Sequence, residues 1–220
     1  MKIKTIISTF LIINIIKSCS IKTNIEENLK NQPNIILINI DDMGWRDVGF
    51  MGSEFYETPN LDALAAKGII FTNAYASASN CAPSRACMMS GQWTPRHGIY
   101  TVGSSERGKS KDRKLVPVEN NLYMPEDNLL IPKVLQQNGY ATCHAGKCHL
   151  NDDPTLFGFD VNIGGNHAGN PGSYYPPFKN VPSLKAPDKG YYLTNLVMDK
   201  TVDFLDSVSK QPFFLYYSPY

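Results

Sequence analysis

The chain has 220 residues and a formal net charge of +1, and 42% of its residues are hydrophobic. This length predicts one domain, and the apolar content is enough to bury a core. The balanced charge and the lack of an arginine-rich run argue against a nucleic-acid partner. They do not exclude a small anionic substrate, because binding such a ligand requires only local positive charge.

The first nineteen residues have the form of a secretory signal. Two lysines precede an apolar stretch over 5–16, which is too short to span a bilayer comfortably. It is followed by Ser18-Cys19, which resembles a bacterial lipoprotein cleavage site. We therefore predict a lipoprotein-type signal peptide over 1–19, a lipid on Cys19 that anchors the chain to a membrane, and a polar tether over 20–33. The protein would be exported to the periplasm or cell surface; a plain signal peptide with an incidental cysteine is the alternative.

From residue 34 onwards, apolar patterns predict strands that alternate with helices. The strands are expected at 34–40, 69–75, 140–145 and 212–217, and the helices at 59–67, 83–89, 129–138 and 192–208. Long loops are expected at 101–128 and 153–189. The alternation predicts an α/β fold with a largely parallel sheet flanked by helices.

The first and last predicted strands carry expectations about burial. The first is a continuous apolar run rich in β-branched residues, which is typical of a strand buried on both faces. The helix that follows it is expected to begin at Pro59, with Thr58 as its N-cap. The chain stops directly after the last strand. We therefore expect a domain that is incomplete at its C-terminus, with apolar surface of that strand left uncovered.

Polar residues follow three of the predicted strands. Asp41 and Asp42 come directly after the first strand, and Cys81 comes between the second strand and a helix. Lys147 and His149 come after the third. In open α/β sheets the site lies beyond the carboxyl ends of the strands, so we expect these five residues to meet.

Asp41 and Asp42 are candidate metal ligands. Adjacent carboxylates repel each other unless a cation lies between them, and their hard oxygen atoms suit Ca²⁺ or Mg²⁺. The alternative is that Asp41 caps a turn while Asp42 is simply solvated.

Cys81 is a candidate nucleophile. The helix opened by Pro83 directs its partially positive N-terminus toward the preceding loop, which favours an anion and lowers a cysteine pKa. Arg85 lies one turn further on and could hold that anion through its fork of donors. The alternative is an ordinary helix start with an incidental cysteine.

Lys147 and His149 are candidate substrate ligands. In an extended segment, residues with one residue between them share a face. A cation and an imidazole on one face suit an anionic oxygen and a leaving group that needs a proton. The alternative is that Lys147 and His149 lie near a surface turn and are simply solvated.

The remaining cysteines leave the disulfide question open. An exported protein permits disulfides, and a Cys143–Cys148 or Cys87–Cys148 bridge is possible. Buried free thiols are the alternative to a bridge. The cysteine spacings do not match the usual zinc-binding patterns.

Several segments together resemble the sulfatase family. Residues 81–85 read Cys-Ala-Pro-Ser-Arg and are followed by Met-Met-Ser-Gly at 88–91, which resembles the family signature C-x-P-S-R. Residues 146–150 look like the family motif G-K-W-H-L-G, and 34–42 and 58–62 look like its opening segments. The departures are Cys148 in place of Trp, Asn151 in place of Gly, and Gln92 where Arg or Lys is common.

The resemblance implies an alkaline-phosphatase-like fold, with 34–220 as the N-terminal part of a catalytic domain. It implies that a maturation enzyme oxidises Cys81 to formylglycine. The hydrated aldehyde would attack the sulfur of a sulfate ester, and its second hydroxyl would then expel sulfate. The resemblance also implies that Asp41, Asp42 and residue 81 bind Ca²⁺.

In the same family pattern, Arg85 would steady the nucleophile while Lys147 and His149 hold sulfate oxygens. The substrate would be a sulfated polysaccharide, another sulfated glycan or an aryl sulfate. The loop at 164–177, rich in Gly, Asn and Tyr, is a candidate sugar contact, although a packed loop without ligand is as good an interpretation. We expect His97 to be structural.

Two other functions fit parts of the pattern. A phosphatase or phosphodiesterase of the same superfamily would normally use Thr or Ser as nucleophile, so Cys81 disfavours it. A non-catalytic surface lipoprotein that binds glycans would be free to lose Cys81 or Arg85, and both are present.

Overall fold

The structure is a computed structural model that describes residues 32–220. The predicted signal peptide, the lipid-bearing Cys19 and nearly all of the tether lie outside the described residues and stay predictions. Within the described range, none of the helices combines the length and apolar character needed to cross a bilayer.

The centre of the fold is a four-stranded sheet in which every described pairing is parallel. The strands are β1 (Ile35–Ile38), β2 (Ala141–Gly146), β3 (Val161–Ile163) and β4 (Phe213–Ser218), in the order β1-β4-β2-β3. The predicted parallel α/β sheet is confirmed. Because all strands run the same way, their carboxyl ends meet at one edge.

Five helices surround or adjoin the sheet in the described residues. They are α1 (Pro59–Ala65), α2 (Cys81–Ser90), α3 (Thr94–His97), α4 (Ile131–Gln137) and α5 (Leu193–Ser207). Short 3-10 turns occupy Gly49–Met51, Ser110–Asp112 and Pro154–Phe157. Proline lies in the first turn of α1, α3 and α4, where its missing N–H costs no helical bond. Thr58 precedes α1, but its hydroxyl bonds Gly49 and Asp62 rather than capping the helix.

The two faces of the sheet are covered by different helices. Leu215 and Cys143 share one face with the apolar side of α5, including Leu196 and Phe204. The neighbouring strand residues point to the other face, where Phe214 packs with residues of α2 and α4. α2 therefore lies on the opposite side of the sheet from α5.

The first strand is less buried than predicted, while the last predicted strand is fully buried and lacks the uncovered apolar surface expected beside it. All six residues of β4 are buried, because β4 lies between β1 and β2 with helices on both faces. β1 is an edge strand, and Ile36 and Ile38 are about half exposed. The uncovered apolar surface thus lies beside β1, where a hollow of about 530 Å³ is lined by Ile38, Ile40, Trp45, Leu61, Leu64 and Phe71.

Two further expectations about secondary structure were wrong. Residues 69–75 form no strand, and Ile69, Phe71 and Tyr75 are largely exposed. Apolar sequence alone does not make a strand, since a strand also requires a hydrogen-bonded neighbour. The segment 153–189, expected to be a loop, contains a 3-10 turn and β3.

Gly146 lets β2 approach β4 closely at the end of the sheet. Its φ is +96°, and a Cβ there would lie 2.0 Å from the Ser218 carbonyl oxygen. The next residue, Lys147, donates its N–H to that same oxygen at 2.7 Å. The absence of a side chain at 146 therefore fixes where the residues after β2 begin.

We predict that Gly146→Ala destabilises the protein far more than Gly52→Ala. Gly52 has a similar φ of +93° but nothing within 4 Å of its missing Cβ, so alanine there adds backbone strain alone. That strain costs about 1–2 kcal/mol, whereas the added collision with backbone at 146 should bring the loss to about 3–5 kcal/mol. Urea unfolding of both variants measures the difference; equal losses would contradict the packing argument.

Candidate active site

The carboxyl edge of the sheet brings together residues from three strands and a helix. Asp41 follows β1, Lys147 follows β2, and Ser218 ends β4. Arg85 reaches the same place from α2, and all of its hydrogen-bond partners belong to these strands or follow them. Of the five residues expected to meet, Asp41 and Lys147 are in contact here, and Arg85 joins them.

Arg85 joins the strand ends through a buried guanidinium that is only 2% exposed. Its Nη1 donates to the Lys147 carbonyl at 2.6 Å, to Ser218 Oγ at 2.7 Å and to Tyr216 Oη at 3.1 Å. Its Nη2 donates to Asp41 Oδ1 at 2.9 Å. The guanidinium therefore ties the ends of β1, β2 and β4 together.

Asp41 forms ion pairs with two buried cations, so the three groups together keep a net positive charge. Its second oxygen accepts a hydrogen bond from Lys147 Nζ at 2.5 Å, and the Lys147 side chain is 4% exposed. Burial by itself would raise the pKa of Asp41, but the bonds from Lys147 and Arg85 outweigh it and hold the pKa below its ordinary value. Asp41 is thus a carboxylate, and Lys147 is a charged group held in one position.

Asp42 lies next to this cluster but has different surroundings. It is exposed, and its φ of +56° is unusual for a residue with a side chain. Such strain is concentrated at functional sites. Among the described residues, no group of three or more His, Cys, Asp or Glu side chains could hold a metal. Asp41 and Asp42 therefore supply hard oxygen donors for only part of a Ca²⁺ site, which requires about six to eight oxygens.

Cys81 is the first residue of α2 and is a partly exposed free thiol. Asn80 occupies the N-cap position, but its side chain donates to Thr101 Oγ1 at 2.8 Å and does not cap the helix. The N–H groups of the first turn therefore have no side-chain cap, and Pro83 has no N–H to offer. This positive helix end suits a nucleophile that attacks an anionic ester.

His149 does not lie in an extended segment, contrary to the sequence interpretation. Its φ is +61°, its backbone N–H donates to the Asn166 carbonyl at 2.9 Å, and its Nδ1 is buried without a partner in the structure. Burial, followed by the charge of Lys147 and the ring of His167, lowers the pKa of His149 to about 4. The ring is therefore neutral at pH 7 beside a permanent cation.

His167 and Tyr123 belong to this region, although no motif identified them. The His167 ring lies edge-on to His149 with centroids 5.8 Å apart, and it stacks on Tyr123 at 4.2 Å. A Cβ at Gly169 would lie 2.7 Å from the His149 ring, so this glycine leaves room for it. The segment after β3 thus forms the wall against which His149 packs.

The other cysteines and His97 are structural. Cys81, Cys87, Cys143 and Cys148 are all free thiols, so neither of the considered bridges forms among the described residues. His97 is buried, with Nε2 at 3.4 Å from Cys87 Sγ and Nδ1 accepting from the Ile99 N–H. This confirms the structural role expected for His97.

Comparisons with known proteins place this geometry in context. The family model described as Sulfatase matches residues 33–220. Human N-acetylgalactosamine-6-sulfatase is 31% identical over 211 residues, which cover 84% of this chain and 38% of that protein. The chain thus spans about two-fifths of that curated relative.

Two solved structures share this fold and have a sequence identity to the chain close to that of the human relative. The structure of Ps i-CgsB in complex with k-i-k-neocarrahexaose aligns with a TM-score of 0.63 and 33% identity, covering 86% of this chain and 45% of the other. BT4656 in complex with its substrate D-glucosamine-2-N,6-O-disulfate aligns with a TM-score of 0.65 and 29% identity, covering 86% and 34%. The predicted alkaline-phosphatase-like α/β fold is confirmed.

His144 lies in the core next to Arg85, and both residues line a small buried hollow. It is 1% exposed on β2, packs edge-on against Phe159 and Tyr216, and has no hydrogen-bond partner for either ring nitrogen in the structure. Burial, aided by the nearby Arg85 charge, lowers the pKa of His144 to about 3. His144 is therefore a neutral core residue that resists protonation.

We predict that His144 makes the protein sensitive to acid. The unfolded chain binds a proton here near pH 6.5 and the folded chain only near pH 3, so stability from this group falls as pH decreases through that window. His144→Leu should reduce the slope of unfolding free energy against pH by up to about 1.4 kcal/mol per pH unit. Urea unfolding from pH 7 to 4 measures it, with Phe159→Leu as a neighbouring control that should keep the wild-type slope. An unchanged slope in His144→Leu would contradict the assignment.

Proposed function

Because this chain belongs to the sulfatase family, we propose that it acts in the hydrolysis of sulfate esters, with residue 81 as the nucleophile. The observation that carries the proposal is the placement of Cys81. It opens α2, the same helix whose Arg85 holds Asp41 and the residue after β2 in place. A reactive group at 81 would therefore stand one turn before the guanidinium that holds Asp41 and the Lys147 backbone.

The proposal includes conversion of Cys81 to formylglycine by a maturation enzyme. Support comes from the intact Cys-Ala-Pro-Ser-Arg segment. The hydrated aldehyde would supply a hydroxyl nucleophile and a second hydroxyl through which the sulfate can leave. The helix N-terminus would stabilise the negative charge that develops beside it.

Lys147 and His149 are proposed to hold the sulfate group. Lys147 is anchored by Asp41 and brings a buried positive charge to the site. His149, neutral at pH 7, would donate an N–H to a sulfate oxygen, and its packing against His167 fixes the ring plane. Positive charge and fixed donors stabilise a sulfuryl transition state better than mobile water does.

Arg85 is assigned a positioning role in this proposal. Both its terminal nitrogens already donate to groups of the strand ends, and its side chain is almost fully buried. It therefore acts on the reaction through Asp41 and Lys147, which it holds in register. The sequence had suggested a direct contact with the reacting group.

Ca²⁺ is proposed to bind at Asp41, Asp42 and residue 81. Support comes from the two adjacent carboxylates at the end of β1 and from the left-handed backbone at Asp42. A bound Ca²⁺ would act as a Lewis acid and orient the sulfate oxygens. The residues of this chain would hold one side of the ion, since Asp41 also remains bonded to Arg85 and Lys147.

A sulfated glycan is the proposed substrate class. The relatives point this way: one is an N-acetylgalactosamine-6-sulfatase, and one solved neighbour binds a neocarrahexaose. In the loop expected to contact sugar, Tyr174 stacks on Tyr192 with centroids 5.7 Å apart, and both side chains are exposed. Exposed aromatic faces suit the apolar faces of sugar rings.

We predict that Cys81→Ser in the full-length protein, produced with a bacterial cysteine-dependent maturation enzyme, abolishes hydrolysis of a chromogenic aryl sulfate. A serine hydroxyl cannot supply the second hydroxyl that releases sulfate, so kcat should fall by at least about 10³-fold rather than KM rising. Cys87→Ser, six residues along the same helix, is the matched control and should retain activity.

Mass spectrometry of the peptide ending at Arg85 should show the aldehyde in the wild type. A peptide that remains entirely cysteine, together with full activity, would exclude the proposed nucleophile. Faster turnover of a phosphate ester than of the sulfate ester would favour a phosphatase instead.

We predict that Asp42→Asn lowers both calcium content and kcat of the full-length protein. Removing one negative charge weakens a hard-cation site, and the exposed side chain should leave folding intact. Asp47→Asn, a partly exposed aspartate in the following turn whose carboxylate accepts the Gly44 N–H, is the control. Calcium bound per chain is measured by elemental analysis beside aryl sulfate turnover, and full activity after exhaustive chelation would exclude a calcium requirement.

A further inference from the structure

One segment, residues 101–123, is attached at both ends to the proposed active site; we call it the rim segment. At its start, Thr101 Oγ1 accepts a hydrogen bond from Asn80, the residue before Cys81. At its end, the Leu122 carbonyl lies 2.8 Å from His167 Nε2, and Tyr123 stacks on the same ring, which packs against His149. The rim segment therefore runs from the nucleophile side of the site to the His149 side.

The base of the rim segment is held closed by one side chain. Asn120 Oδ1 accepts the N–H groups of Tyr100 and Thr101 at 2.7 and 3.1 Å. Asn120 Nδ2 donates to the Gly103 carbonyl at 2.6 Å. These bonds bring the two ends of the loop together and project the intervening residues from one place beside the site.

The projecting part of the rim segment has a strong local excess of positive charge. Residues 107–114 contain five basic residues and one acidic residue, a net charge of +4. The whole chain has a net charge of only +1, so the remaining residues carry −3 (+1 less +4). A local excess of this size beside a site for an anionic ester favours anionic ligands.

Three lysines of this part form no ion pair with the described residues of the chain. Arg113 pairs with Glu106 at 3.1 Å, and Arg107 donates to Thr101 and to the Ser104 carbonyl. Lys109, Lys111 and Lys114 are exposed, and no ion pair involves them in the described part of the chain. The two arginines thus shape the loop and leave the lysines available.

We propose that Lys109, Lys111 and Lys114 bind further sulfate groups of a glycan that carries several of them, while one ester occupies the site at residue 81. This inference rests on the proposed sulfatase function and specifies its substrate as polysulfated. The lysine side chains are long and rotatable, so they select negative charge rather than one sugar. Exposed ion pairs are individually weak and are screened by salt, so the three lysines act together.

The test compares two substrates in the full-length protein. The triple variant Lys109→Gln, Lys111→Gln, Lys114→Gln should lower kcat/KM for a polysulfated oligosaccharide roughly threefold to thirtyfold, mainly through KM. Its kcat/KM for a small aryl sulfate, which carries no further sulfate group for the three lysines to bind, should change less than twofold. Raising the salt concentration should reduce the difference between wild type and variant.

A matched control removes the same charge elsewhere. Lys67, Lys200 and Lys210 are also exposed, and none of the described ion pairs includes them. Their triple change to Gln should leave the ratio of the two kcat/KM values as in the wild type. Equal loss in both triple variants would assign the effect to net charge and overturn the proposal, and so would an unchanged ratio in the rim variant.

A binding measurement separates this inference from the proposed activity. Dextran sulfate oligosaccharide is titrated against Cys81→Ala protein with and without the three rim changes, and neutral dextran serves as the blank. Weaker binding in the rim variant alone supports the site even if no substrate is turned over. Equal binding by the rim and control variants would overturn the site even if the protein proves to be an active sulfatase.

Discussion

A buried group of charges holds this end of the fold together. The guanidinium of Arg85 and the ammonium of Lys147 share the single carboxylate of Asp41, and all three groups are largely removed from water. Buried charges that lose a partner are costly, so neither cation can move away without giving up its own ion pair with Asp41. Because the three residues come from α2, from the end of β2 and from the end of β1, this constraint fixes the helix against the sheet. The position of Cys81 follows, since it is four residues before Arg85 on that helix.

Much of this arrangement could be predicted from the sequence. Parallel strands bring their carboxyl ends to one edge, so Asp41 and Lys147 were expected to meet once β1 and β2 were recognised. The helix predicted at 83–89 and its closing glycine at 91 were also recognisable, because helix starts and stops depend on a few neighbouring residues, although the helix begins two residues earlier, at Cys81. These features are local, or follow from one rule of topology.

The errors concern contacts between distant parts of the chain. An apolar run does not reveal whether it will be an edge strand or a central strand, so β1 was expected to be more buried than it is, and uncovered apolar surface was expected beside β4 rather than beside β1. Residues 69–75 have the composition of a strand without acquiring a neighbour to pair with. The left-handed backbone of His149 depends on Asn166 and Gly169, seventeen and twenty residues further along, and no spacing between Lys147 and His149 could have indicated it.

The burial of Arg85 restricts when another enzyme could read the segment 81–85. In the folded chain, Ala82, Pro83 and Arg85 are all buried, and the guanidinium is bonded to groups that arrive from β1, β2 and β4. The last of these strands comes more than 120 residues after the cysteine. An enzyme that recognises the arginine must therefore act on the extended polypeptide, in the interval before β4 has been made and docked. The order of events during biosynthesis, and not only the amino-acid sequence, would then determine whether a given molecule becomes active.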